Sequence, residues 1–196
     1  MTIMEKSEYY KIIYDILKNE EFQKRKYYPH HGKISVYEHS LAVSKLSYDI
    51  AKKLKLDYKS AALGGLLHDF YPNPWPSNKQ KKFFKKHGFV HAREAMENSY
   101  QYFSELMNDK ISNIILRHMF PLNIIPPKYL EGWIITLVDK YVSLETLKNP
   151  SFFTDLFGIR KKSDQNGWYN YSYINGFRCW CYFYHKSKRK RSNFNC

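Results

Sequence analysis

Two aspartates stand where the surrounding sequence leaves little room for water, and a chain that buries carboxylates must fold so as to give them partners. Asp139 follows the run Trp133-Ile-Ile-Thr-Leu-Val138. Asp69 closes Gly64-Gly-Leu-Leu-His-Asp69, a segment with no other charge after Lys59. An ionised carboxylate in a dry interior is costly unless it is paired or bound to a metal. The fold must therefore carry imidazoles, ammonium groups or a cation to both positions.

The apolar spacing around these residues predicts helices. Tyr10, Ile13, Ile16 and Leu17 recur at helical intervals over 6–18. Pro29 and Gly32 place a loop over 27–35, after which Ser35 and Glu38 form a capping-box pattern that opens a helix reaching about Leu54. Further helices are expected over about 60–70, 90–106, 109–118 and 129–147. The first of these must stop at Tyr71-Pro-Asn-Pro-Trp-Pro76, since prolines at alternate positions cannot continue it. It also contains Ala61, Ala62, Gly64 and Gly65, and glycine is a poor helix former, so close approach of another helix is expected there. No strand alternation or internal repeat competes, and residues 1–150 read as one all-α domain.

Residues 151–196 read as a separate tail. Positions 168–185 are crowded with aromatics without helix or strand periodicity, and Lys186-Ser-Lys-Arg-Lys-Arg191 is a basic run. The net charge of +14 invites a nucleic-acid partner. However, the tail carries nine Lys/Arg against two Asp/Glu, so half the excess belongs to it rather than to the helical body. No stretch reaches the roughly 18 consecutive apolar residues of a membrane span, and the N-terminus lacks a signal-peptide core. A cytoplasmic protein without a membrane partner is expected. Cys179, Cys181 and Cys196 form neither a CxxC pair nor a disulfide framework.

Four of the predicted helices each place His or Asp on an inward face. His39 shares a stripe with Val43, Leu46, Ile50 and Leu54, which should be buried. His68 and Asp69 end the glycine-containing helix. His118 continues the stripe of Ile111, Ile114 and Ile115, and Asp139 lies in a run too apolar to face water. A shared divalent cation is the simplest explanation of the set, and imidazole with carboxylate suits zinc, iron, manganese and related ions.

The order His39, His68-Asp69, Asp139 resembles the HD superfamily of metal-dependent phosphohydrolases. Tyr37-Glu-His-Ser40, Gly64-Gly-Leu-Leu-His-Asp69 and Leu137-Val-Asp-Lys140 carry the resemblance, which runs from about His31 to Leu147. It implies an all-α, HD-domain helical bundle, followed here by an irregular basic C-terminal tail. It also implies that His39, His68, Asp69 and Asp139 hold one metal. Members with two metals place two more histidines between the doublet and the last Asp. His91 and His118 fit those places, with Asp69 bridging. His87 competes with His91 one turn away; His91 is preferred because Ala95 follows it.

The implied activity is hydrolysis of a phosphate ester, a monoester, diester or nucleotide, by metal-activated water. The cofactor would be one or two divalent ions (Fe, Mn, Zn, Ni, Co or Mg). Lys33 and Lys140 are candidates for phosphate binding and His31 for proton donation. Two other functions compete. Four His with two Asp also suit a two-iron oxygenase. The tail, with Lys79–Lys86 interleaved by Phe83 and Phe84, suits a nucleic-acid-binding protein on the same scaffold.

Overall fold

Side-chain caps set where the helices begin. Ser7 Oγ accepts from the backbone N–H of Tyr10, Asp57 Oδ1 from Ser60 and Asn108 Oδ1 from Ile111, at 2.9–3.2 Å. Ser35 Oγ accepts from Glu38 N at 3.2 Å while the Glu38 carboxylate accepts from Ser35 N at 2.8 Å, so the capping box is complete. Each cap satisfies donors that a helix start leaves without a partner.

The computed structural model describes residues 7–30, 34–73, 87–149, 151–157, 159–163 and 169–173, with backbone alone for 87–89 and the last two segments. Among them run α1 (Glu8–Lys18), α2 (Glu20–Gln23), α3 (Val36–Lys53), α4 (Tyr58–Leu67), α5 (His87–Phe103), α6 (Asp109–Arg117), α7 (Leu130–Lys148) and α8 (Phe152–Leu156). The body is all-α. None of its described helices is long and apolar enough to cross a membrane. His31 and Lys33 lie outside the described residues, as do the basic stretch 79–86, the three cysteines and the run 186–191.

The central helix is α4, and its two glycines face different neighbours. A Cβ on Gly65 would stand 2.9 Å from Ser44 Cα of α3, and one on Gly64 would stand 2.6 Å from Ile114 Cγ2 of α6. The α3 backbone therefore approaches α4 more closely than a side chain at Gly65 would allow, and the Ile114 side chain of α6 occupies the space that one at Gly64 would need. Polar contacts lock the α3 side: Ser44 Oγ donates to the Ala62 carbonyl at 2.7 Å and is met by the Tyr9 hydroxyl of α1 at 3.0 Å. Around this seam lie Ile13, Ile16, Leu66, Phe70 and Ile111, all nearly inaccessible.

The buried face of α3 differs from the expected stripe. Val43 is buried, but Ile50 and Leu54 are 38% and 59% exposed. The helix instead turns Tyr37, Ser40, Ser44, Ser47, Tyr48 and Ala51 inward. Small residues on that face admit α4, which outweighs the burial of two aliphatic side chains near the end of α3. A similar correction holds for α7. Ile135, Val138 and Val142 are buried, whereas Trp133 and Leu137 are 37% and 65% exposed. The helix covers one flank of the bundle with a single face, so the apolar run is not buried all round.

Past residue 150, Phe153 and Phe157 still pack on the body's core. The tail is not wholly irregular either: β1 (Ile159–Ser163) pairs antiparallel with β2 (Tyr169–Tyr173). Tyrosine at alternate positions, 169, 171 and 173, is a period-two signal suited to a strand, obscured by the aromatics around it.

The α3–α4 contact makes a prediction about stability. Gly65→Ala brings a methyl against backbone that cannot move aside, and overpacking of this kind costs about 1–3 kcal/mol. Thermal melts should show a drop of several degrees; an unchanged or raised Tm would mean that the two helices are not in this close register.

Candidate metal centre

Helix ends and the small-residue seam bring six predicted residues to one place. His68 caps the C-terminus of α4 and Asp69 follows it; His118 caps the C-terminus of α6. His39 lies one turn into α3, His91 one turn into α5, and Asp139 in the middle of α7. His68 Nδ1 donates to the Gly65 carbonyl at 2.8 Å and His118 Nδ1 to the Ile115 carbonyl at 2.7 Å, both three residues back. With Nδ1 carrying the proton in this way, each ring turns Nε2 to the centre. Histidines that bind metal are oriented by such an outer hydrogen bond.

The two oxygens of Asp69 face different imidazoles. Oδ2 is 3.4 Å from His30 Nε2, 3.5 Å from His68 Nε2 and 4.0 Å from His39 Nε2. Oδ1 is 3.4 Å from His91 Nε2 and 4.0 Å from His118 Nε2. Asp139 Oδ1 lies 3.0 Å from His39 Nε2 and 3.7 Å from His68 Nε2. Donors sharing one ion at bond lengths of about 2.1 Å stand roughly 3–3.6 Å apart. His39, His68 and Asp139 form one group able to hold an ion, and His68, Asp69 and His118 another.

Three details fit a cation. His68 Nε2 is fully buried without a hydrogen-bond partner in good geometry. The Nε2 atoms of His91 and His118 are 3.1 Å apart, a distance at which two lone pairs repel unless a proton or a cation lies between them. Two carboxylates, moreover, lie close together, Asp69 buried and Asp139 largely so.

Burial opposes charge on every group here. On Asp69 it is outweighed by the His68 charge and a hydrogen bond from His30, and on Asp139 by a hydrogen bond from His39 and the nearby His68 charge. Both carboxyls are thereby held well below their ordinary range. Burial also works against charge on His68, but Asp69 and Asp139 lift it to about 9. Burial and neighbouring imidazoles push His39 down to about 4 and His118 to about 3. One imidazolium thus stands between two carboxylates, while neutral His118, protonated on Nδ1, keeps its Nε2 lone pair for a metal, and His39 Nε2 would have to release its proton to Asp139 or solvent to bind one.

Sequence reasoning missed His30. Its backbone N–H donates to the Ile34 carbonyl at 3.0 Å beside a bridge between Pro29 and Ser35, which turns the segment back over the cluster. The doublet His30-His31 is the signal in the sequence, and nothing in its spacing favours His30 over His31, the residue expected at the site. His30, His39 and Asp69 make a third group of close donors. However, the His30 and His39 rings stack at 3.8 Å with planes 16° apart, so one ion cannot lie in both planes. His30 lines the open side with Lys140, whose Nζ donates to the carbonyls of Thr136 and His118. The backbone of His87 begins α5; its side chain lies outside the described residues.

These shifts give the metal-stripped protein a pH signature. His39 and His118 have folded values below the ordinary 6.5, so their contribution is present above pH 6.5 and is lost as pH falls toward 4 and 3. His68 is raised, so its contribution is present below 6.5 and is lost as pH rises through 9. Melts of chelator-treated protein should peak near pH 6.5 and decline on both sides. A Tm that stays flat between pH 5 and 9 would contradict this arrangement.

The family model described as HD domain matches residues 36–144, which takes in α3 through most of α7 and five of the six predicted ligand positions between His39 and His118, together with Asp139. No curated protein and no solved structure matches the chain significantly. With more than half its length matched, this chain belongs to the HD domain family, a superfamily of metal-dependent phosphohydrolases.

Proposed function

We propose that the protein is a phosphohydrolase with a two-ion centre, in which Asp69 bridges. The carrying observation is the division of labour at that carboxylate: Oδ2 faces His39 and His68, and Oδ1 faces His91 and His118. His39, His68, Asp69 and Asp139 would hold one divalent ion; Asp69, His91 and His118 would hold the other. Ions bound there supply Lewis acidity, lowering the pKa of a water molecule and neutralising charge on phosphoryl oxygens.

The rest of the site binds and orients. Asp69, His91, His118 and Asp139 line a cavity of about 470 Å³ together with His30 and Lys140, a volume suited to a small molecule. Lys140 would steady a phosphoryl oxygen. Burial lowers its pKa and Asp139 beside it opposes that effect, so its charge is held in a partly dry setting. His30 would stand beside the entering ester. In the reaction a water molecule gives up a proton to solvent as its oxygen forms the new P–O bond, the ester P–O bond breaks, and the departing oxygen takes a proton from solvent.

Reconstitution with manganese or zinc, followed by elemental analysis and a screen of phosphate mono- and diesters, tests this reading. The native chain should hold about two ions and His118→Ala about one. Asp69→Ala should lose both and lower turnover by more than about 100-fold, the upper end for losing even an outer partner of a ligand. Full metal content in Asp69→Ala would overturn the bridging role. Turnover that requires dioxygen would replace hydrolysis with two-iron oxygenase chemistry.

A further inference from the structure

The cavity that opens on the cluster has two unlike kinds of lining. Asp69, Asp139, His91 and His118 supply the polar part, and Met119, Phe120, Leu122 and Leu144 supply an apolar one. The apolar residues adjoin the polar ones in the chain. Residues 119–122 leave α6 directly after His118, and Leu144 lies on α7 little more than one turn beyond Asp139. The wall is braced from behind, because Phe120 packs edge-on against Trp133 at 5.3 Å and 72°.

Two of these side chains have no need of the core. Leu122 is 43% and Leu144 57% exposed. Large apolar groups turned into a concave site gain when a ligand covers them. A sugar or a second phosphate laid against Phe120, Leu122 and Leu144 would instead give up water for few hydrogen-bond partners, Ser143 beside Leu144 being the nearest in the chain. Lys140 completes the picture. Its ammonium has three N–H donors, and the carbonyls of Thr136 (3.2 Å) and His118 (3.5 Å) take two. One donor remains for an oxygen of a bound phosphoryl group.

We propose that this cavity takes single-phosphate esters whose organic part is an apolar ring system. The phosphoryl end sits at the Asp69–Asp139 cluster beside Lys140, and the ring lies against Phe120, Leu122 and Leu144. The inference rests on the hydrolase reading for the orientation of the ester, but it can be measured without turnover.

Phenylphosphonate and methylphosphonate resist hydrolysis and differ only in the ring. Calorimetric titration of the manganese-loaded full chain should find phenylphosphonate at least about tenfold the tighter, the effect expected for covering one ring with apolar side chains. Leu122→Ser and Leu144→Gln alter exposed positions, so manganese content and melting should persist while the preference for the ring shrinks below about threefold. Equal affinity for the two probes in the native chain would overturn the proposal, as would binding of neither, or a preference that survives in both variants. A ring preference without hydrolysis of phenyl phosphate would uphold this pocket and refute the hydrolase reading, so the two can fail separately.

Discussion

Everything about this fold turns on two carboxylates taken out of water next to imidazoles. At an effective dielectric of about 20, opposite unit charges 3.5 Å apart, the separation of His68 Nε2 and Asp69 Oδ2, attract by roughly 5 kcal/mol. That attraction is set against the loss of hydration on both ions, which costs several kcal/mol per ion. A proton on His68 answers only one of the two negative charges. A divalent cation answers both, and the neutral His118 ring, with its proton on Nδ1, is already in the form it requires.

The helices can be understood as the means of holding that arrangement. Gly64 and Gly65 let α3 and α6 close on α4 from different directions, and the end of α4 then delivers His68 and Asp69 between His39 and His118. Two of the rings sit at helix C-termini, where the carbonyl three residues back fixes Nδ1 and turns Nε2 to the centre. Polar contacts elsewhere support the scaffold. Glu131 of α7 reaches Lys110 at 3.3 Å and accepts from the amide of Asp57 at 3.0 Å, tying α7 to α6 and to the start of α4. Arg25, buried over Phe70, anchors the segment that leads to His30. Displacement of any of these helices would separate ligands that lie on five different elements.

Much of this was legible from residue types and spacing, for identifiable reasons. The capping box at Ser35, the glycine pair and the prolines after Tyr71 are local signals whose meaning does not depend on the rest of the fold. Carboxylates inside apolar runs also announce themselves, because few environments tolerate them. What escaped were features set by partners distant in sequence. The inward face of α3 is decided by what packs on it, so serines proved more telling than Ile50 and Leu54. The exposed side of α7 reflects its place at one flank of the bundle. His30 is brought to the cluster by a short bridged turn, and hydrophobic periodicity does not reach into a loop. The pairing of β1 with β2 likewise depends on residues six to fourteen positions apart.

The central claim is that imidazoles from separate helices join the buried carboxylates around a cation. X-ray absorption on the manganese- or zinc-loaded protein addresses it most directly. Nitrogen and oxygen at about 2.1 Å, with the outer-shell scattering of several imidazole rings that is abolished together with the metal in Asp69→Ala, is the predicted result. An all-oxygen shell without imidazole scattering would contradict the account, because the ion would then be bound somewhere other than among His39, His68, His91 and His118.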